Sequence, residues 1–188
     1  MHRHRYLPVA ELLKLHEALN AVNYSIVEIE SILNPPLCAR FEHRWKEMRE
    51  FHEKERSGVE VKPQLAYHGT AEANIEKIKK TGLLVPGVDY GPGIGIIGHA
   101  TDTGYWGKGI YVSPTASLSV GYCRGGSVLL INAVLMGRIF KCTALIHGQP
   151  KREGFDSHQD PSGNEWILFD EKQVLPCYAV KIAPKTKG

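Results

Sequence analysis

Residues 107–123 read GKGIYVSPTASLSVGYC. The run Ile110-Tyr111-Val112 predicts a short strand. Ser113-Pro114 after it predicts a helix opening, because a serine oxygen can accept from first-turn N–H groups and proline brings no N–H to satisfy. Downstream, residues 127–143 (SVLLINAVLMGRIFKCT) predict one long strand bent at Gly137. Residues 163–182 (GNEWILFDEKQVLPCYAVKI) alternate and predict two strands around Asp170–Lys172. Upstream, residues 65–70 (LAYHGT) read as a strand running into a turn. Residues 71–84 read as a helix carrying Ile75, Ile78 and Leu83, with Gly82 as its stop. Further out, residues 9–20 place Leu12, Leu13, Leu15 and Leu19 near one face of a short helix. Residues 22–33 predict a half-buried strand ended by Asn34-Pro35-Pro36. Residues 37–56 form the strongest helical pattern, with Phe41, Trp45, Met48 and His52 on one face and Gly58 beyond its end. Helices come early and strands dominate late, which is an α+β order and not the repeating βα of a doubly wound sheet.

The chain has 188 residues, 43% of them hydrophobic and 23% charged, enough apolar material for one full core. The net charge of +3 is mild, and the lysines and arginines are interleaved with acids, so nucleic acid is not an expected partner. No apolar run reaches the ~18–20 residues of a membrane span, and the charged N-terminus lacks the apolar centre of a signal peptide. Cys38, Cys123, Cys142 and Cys177 are widely spaced, with no CxxC or HExxH pattern, so neither a metal site nor a disulfide framework is expected. Reduced thiols favour an intracellular home, cytoplasmic or nuclear.

Residues 87–109 carry eight glycines, and Gly91-Pro92-Gly93-Ile94-Gly95 invites comparison with a dinucleotide fingerprint. The context fails: Pro92 sits inside the motif and no helix follows. Gly107-Lys108-Gly109 lacks the frame of a phosphate loop. The stretch reads as a surface segment or as a lid over a ligand, with Tyr105 and Trp106 giving a lid apolar grip.

Three sets of residues carry chemistry. His68-Gly69-Thr70 lies where a strand ends. Gly107-Lys108-Gly109-Ile110-Tyr111 leads into Ser119 and Tyr122. Asn164-Glu165-Trp166 opens a late strand. Singly, each has a plain reading: a hydrogen-bonded structural histidine, core aromatics, a surface acid at a strand start. Jointly, and in this order, they resemble the catalytic domain of the poly(ADP-ribose) polymerase family, the diphtheria-toxin-like ADP-ribosyltransferases marked by a His, a Tyr and a Glu. Residues 29–48 (IESILNPPLCARFEHRWKEM) resemble that family's entry strand and helix, so the likeness covers about residues 22–183.

The resemblance implies two packed, mainly antiparallel sheets around an NAD cleft with peripheral helices. It places the catalytic domain at 22–188 after a helical extension at 1–21. It implies NAD as substrate, no metal, and His68, Tyr111 and Glu165 as the catalytic set. The Gly69 backbone and the Ser119 hydroxyl would hold the nicotinamide amide. Tyr122 would stack on the ring and Tyr111 would wall its other side. His68, with Thr70 beside it, would hydrogen-bond the adenosine ribose. Glu165 would bind the nicotinamide ribose and stabilise the positive transition state.

No match to the family's autoinhibitory helical domain precedes the fold, and residues 82–108 match no loop of the family. The polar segment at 147–162 would border the acceptor side. Its shortness leans towards mono- over poly-ADP-ribosylation of a protein acceptor. The alternatives are an NAD glycohydrolase, a weak binding module of the same fold, and an RNA 2′-phosphotransferase, which would want a basic face.

Overall fold

The computed structural model describes residues 9–94, 104–123 and 126–185. Its centre is β4 (Val128–Val134), buried from Leu129 to Val134. A strand covered on both faces reads as a continuous apolar run, as LLINAV does. β4 pairs antiparallel with β2 (Gln64–Gly69) on one side and β8 (Val174–Pro184) on the other. β8 pairs with β1 (Tyr24–Ser31), giving the order β1-β8-β4-β2. Pro176 is tolerated within β8 because the register shifts there, opposite Ile131 and Asn132. The second sheet has the order β3-β7-β6-β5, from β3 (Ile110–Val112), β7 (Trp166–Leu168), β6 (Ser157–Gln159) and β5 (Ile139–Lys141). Its β5–β6 pair is parallel and the others antiparallel. The fold is α+β, as the sequence order implies.

Helices cover the first sheet. α1 (Val9–Ala21) places Leu15 and Leu19, both wholly buried, against Leu129, Ile131, Val180 and Ile182. That segment, expected as an extension, thus shares its core with the sheet. α2 (Pro35–Lys54) buries Phe41, Met48 and His52 on the face its spacing predicts, and Asn34 caps it by accepting from the Leu37 N–H. The Asn34 amide also donates to the Lys79 and Lys80 carbonyls at the end of α3 (Ile75–Thr81), tying the two helices. His52 closes the far end of α2: one ring nitrogen meets Ser57 Oγ at 2.8 Å and the other Asp156 Oδ2 at 2.7 Å.

Three expectations need correction. Residues 127–143 are not one bent strand but β4 and β5, in different sheets. Gly137 takes φ +58, and a Cβ there would lie 2.3 Å from Asp156 Oδ2. That carboxylate accepts from the Arg138 N–H at 2.7 Å and turns the chain into the second sheet. Ser113-Pro114 does not open the next helix: α4 (Ala116–Val120) starts one residue after Thr115, while Ser113 Oγ accepts from the Thr115 N–H to form a turn before it. The polar segment at 147–162, for which no strand is expected, contains β6. Ser157 and His158 are both wholly buried and satisfied by backbone, Ser157 Oγ donating to the Met136 carbonyl at 2.6 Å.

All four cysteines are free thiols, two buried and two half-buried. No described helix is long and apolar enough to cross a membrane.

Candidate functional site

The two sheets share a hydrophobic core and are tied by an isolated backbone bridge. Tyr67 in β2 and Ser113 after β3 exchange backbone hydrogen bonds of 2.7 and 2.9 Å. Tyr67 therefore turns its N–H and C=O away from β4. Strand alternation turns those of Gly69, two residues on, to the same side. The Gly69 amide groups thus face the gap beside α4, not the centre of their sheet.

His68 spans the joint. Its Nδ1 lies 2.8 Å from the Tyr111 carbonyl, which can only accept, so Nδ1 carries the proton and Nε2 is left as an acceptor. Burial pushes the His68 pKa below the ordinary histidine value, only partly offset by that hydrogen bond, so the ring is neutral at pH 7. Tyr111 is locked at its other end. Its hydroxyl accepts from the Trp106 N–H at 2.8 Å and donates to the Gly107 carbonyl at 3.0 Å.

The motif glycines have steric reasons. A Cβ on Gly69 would lie 1.8 Å from the Ser119 carbonyl oxygen. One on Gly109 would lie 2.6 Å from both Ile167 Cγ2 and the Leu168 oxygen, and one on Gly107 2.8 Å from Phe169 Cζ. Helix α4 rests on Gly69, and the segment before β3 rests on β7. Ser119 is buried in α4. Tyr122, one turn on, is 41% exposed, and its hydroxyl donates to Glu165 Oε1 at 3.5 Å.

Glu165 stands at the end of the β6–β7 hairpin. Its N–H donates to Asp160 Oδ1 at 2.8 Å and its carbonyl accepts from the Asp160 N–H at 3.0 Å. Burial works to raise the Asp160 pKa, but hydrogen bonds from the Ser162 hydroxyl and from the N–H groups of Glu165, Ser162 and Asn164 outweigh it and hold the carboxyl below its ordinary value. An ionised Asp160 therefore shapes the turn that presents Glu165. Glu165 Oε2 accepts from the Trp106 indole N–H at 2.9 Å.

These contacts close a ring: His68 to Tyr111, Tyr111 to Trp106, Trp106 to Glu165, Glu165 to Tyr122, then through α4 to Ser119 and back to Gly69. Six of the seven residues singled out from the sequence lie on it. Thr70 is set apart beside the ring, its hydroxyl accepting from the Asn74 amide at 3.0 Å.

Sequence reasoning missed three participants. Trp106 was noted only as apolar grip on a lid. Asp160 and His158 went unremarked in a polar stretch, although an Asp-Pro-Ser-Gly turn just before Glu165 was a usable signal. His158 donates from Nδ1 to the Trp106 carbonyl at 2.8 Å and accepts at Nε2 from the Arg152 N–H at 2.8 Å, which requires the neutral ring. Burial accordingly lowers its pKa. It also lines a groove of about 700 Å³ with Phe140, Ile146, Pro150 and Arg152.

The lid expectation spans residues 87–109, of which 95–103 lie outside the described residues. The adjoining segment is pinned: Ile146, Gly148 and Lys108 N–H groups donate to the Tyr105, Gly104 and Gln149 carbonyls at 2.9 Å each. Among the described residues no group of three His, Cys, Asp or Glu could hold a metal ion.

A family model, the poly(ADP-ribose) polymerase catalytic domain, matches residues 6–160, more than half of the chain. Glu165 and β8 lie beyond the matched residues. The chain is also similar to the protein mono-ADP-ribosyltransferase PARP4 of Mus musculus, 29% identical over 136 residues. That alignment covers 63% of this chain and 7% of the mouse protein, so the chain spans a small part of that relative's length.

Proposed function

Because the chain belongs to the poly(ADP-ribose) polymerase catalytic-domain family, we propose that it splits NAD at the nicotinamide–ribose bond and transfers ADP-ribose to a protein acceptor, once per site and not as a polymer. The observation that carries this reading is the ring itself, in which backbone amide groups, a buried serine, an exposed tyrosine, a neutral histidine and a carboxylate meet at one gap between two sheets.

Each group has a task its chemistry suits. Gly69, with N–H and C=O turned to the gap, offers a donor and an acceptor side by side, the complement of a carboxamide. The Ser119 hydroxyl adds a donor to the amide oxygen. Tyr122 offers a ring face to the flat, cationic nicotinamide. Tyr111, anchored through its hydroxyl, forms the opposite wall. The neutral His68 accepts a ribose hydroxyl proton at Nε2, with Thr70 alongside. Glu165 accepts from the ribose 2′-hydroxyl.

As the glycosidic bond breaks, its electron pair goes to the nicotinamide nitrogen and neutral nicotinamide leaves. Positive charge grows on the ribose, and the carboxylate of Glu165 stabilises it. An acceptor nucleophile then attacks the anomeric carbon and loses its proton, for which Glu165 is the nearest base. Nicotinamide is already a good leaving group, so this route calls on no metal.

The test is incubation with labelled NAD, alone and with cell lysate, beside Glu165→Gln. Discrete labelled bands with matching nicotinamide release, lost by about a hundredfold or more in the variant with NAD affinity retained, are the expected result. A high-mass smear would replace mono- by poly-transfer. Nicotinamide release without labelling would replace transfer by hydrolysis. No release from folded protein would leave a binding module.

A further inference from the structure

Trp106 uses every polar group it has. Its N–H holds the Tyr111 hydroxyl, its carbonyl holds His158 Nδ1, and its indole N–H holds Glu165 Oε2. These three partners come from β3, β6 and the residue just before β7, so Trp106 sits where three strands of the second sheet meet. Gly107 beside it takes φ +114, and its packing on Phe169 sets the path of the chain that aims the indole.

A glutamate carboxylate needs such a partner. The terminal torsion of Glu is broad and roughly two-fold, so its carboxylate plane is poorly fixed by its own rotamer preferences. Tyr122 is too exposed, and its 3.5 Å contact too long, to fix it alone. An indole is a donor only and has no rotating hydroxyl, and its bulk is held here by both main-chain groups. A charge-assisted bond of 2.9 Å to Oε2 fixes the plane and turns Oε1 to the side of Tyr122.

We propose that Trp106 is a positioning residue for the reaction, whose indole N–H orients the Glu165 carboxylate for the ribose. This inference rests on the ADP-ribosyl-transfer reading. It predicts a loss in the transition state that leaves ground-state NAD binding alone, because preorganisation of the charge-stabilising group is what is removed.

The test is a double-mutant cycle on NAD turnover with Trp106→Phe, Glu165→Gln and both together, with NAD Kd measured by calorimetry. Trp106→Phe should lower kcat about tenfold or more and leave KM and Kd within about twofold. In the Glu165→Gln background it should add less than about twofold, since the partner it positions is already disabled. An unchanged kcat, a rise in KM in its place, or an equal loss in both backgrounds would overturn the proposal. Absence of turnover in the wild type would instead sink the transfer reading.

The indole resonance of Trp106 gives a readout that depends neither on turnover nor on the folding of the Trp106 variant. Its N–H should lie downfield in the wild type and move upfield in Glu165→Gln, where a weaker amide acceptor replaces the carboxylate. An indole shift indifferent to Glu165→Gln would also overturn the proposal.

Discussion

Glycine 69 has an ordinary strand conformation, yet no other residue fits. A Cβ would stand 1.8 Å from the Ser119 carbonyl oxygen, and the obstacle is backbone on both sides. The resemblance implies a role for the Gly69 backbone, holding the nicotinamide amide, and does not show that a helix lies against it. Gly69→Ala should push α4 off β2. The expected cost is about 3 kcal/mol, the upper part of the usual overpacking range. Because Ser119 lies on α4 and Tyr122 in the 3-10 turn directly after it, NAD affinity should fall by about tenfold or more with it. Thermal melting and NAD calorimetry on the one variant check both. Unchanged melting would mean that α4 adjusts without strain, and the steric account would fail. Glu165 shows the opposite pattern at the same scale. Its place near Tyr122 and Trp106 depends on an ionised Asp160 five residues earlier, a local turn that the sequence does contain.

At the scale of elements, α1 packs into the core of the first sheet. A break at residue 21 follows from the resemblance alone, whereas Leu15 and Leu19 are wholly buried under the first sheet with Leu129, Ile131 and Val180. Leu19→Ala should cost about 2–5 kcal/mol, the usual range for a leucine deleted from a tight core. At roughly 2–4 °C per kcal/mol for a domain of this size, Tm should drop by about 4–20 °C. A drop below about 2 °C would mean that α1 contributes little to the fold, whatever its burial. The elements read best were those with strong periodicity, α2 and the β8 segment. The misread ones were short and set by single contacts. β4 and β5 separate because of one glycine and the Asp156 carboxylate beside it, and β6 hides in a polar stretch because its buried side chains are Ser157 and His158.

At the scale of the whole molecule, His68 and His158 are held neutral by the packing of the sheets. Burial lowers both His68 and His158 below 6.5. A base whose folded pKa is depressed binds fewer protons folded than unfolded. Its contribution to stability is therefore complete above pH 6.5 and is lost as pH falls below that value towards the folded pKa. Asp160, also depressed, acts in the same direction at lower pH, below its ordinary 3.8. Melting temperature should be flat from pH 8 to 7 and decline from about pH 6.5 downward. His68→Asn and His158→Asn together should flatten the decline between about pH 6.5 and 5. A decline of the same slope in the double variant would place the proton uptake elsewhere.

What the sequence determined by itself was local or carried by spacing: the α+β order, the apolar face of α2, the burial of Leu15 and Leu19 in α1 (Leu13, expected beside them, is exposed), the Gly82 stop, the Asn34-Pro35-Pro36 break, and the three motifs that point to one family. Those readings survive because periodicity and turn chemistry are properties of neighbouring residues. Tertiary structure alone decided the ring. The Tyr67–Ser113 joint, the packing of the Ser119 carbonyl on Gly69 and the Trp106–Glu165 bond link residues that are 46, 50 and 59 positions apart. Contacts at such separations leave no period in the chain, so they exist only once the two sheets have packed.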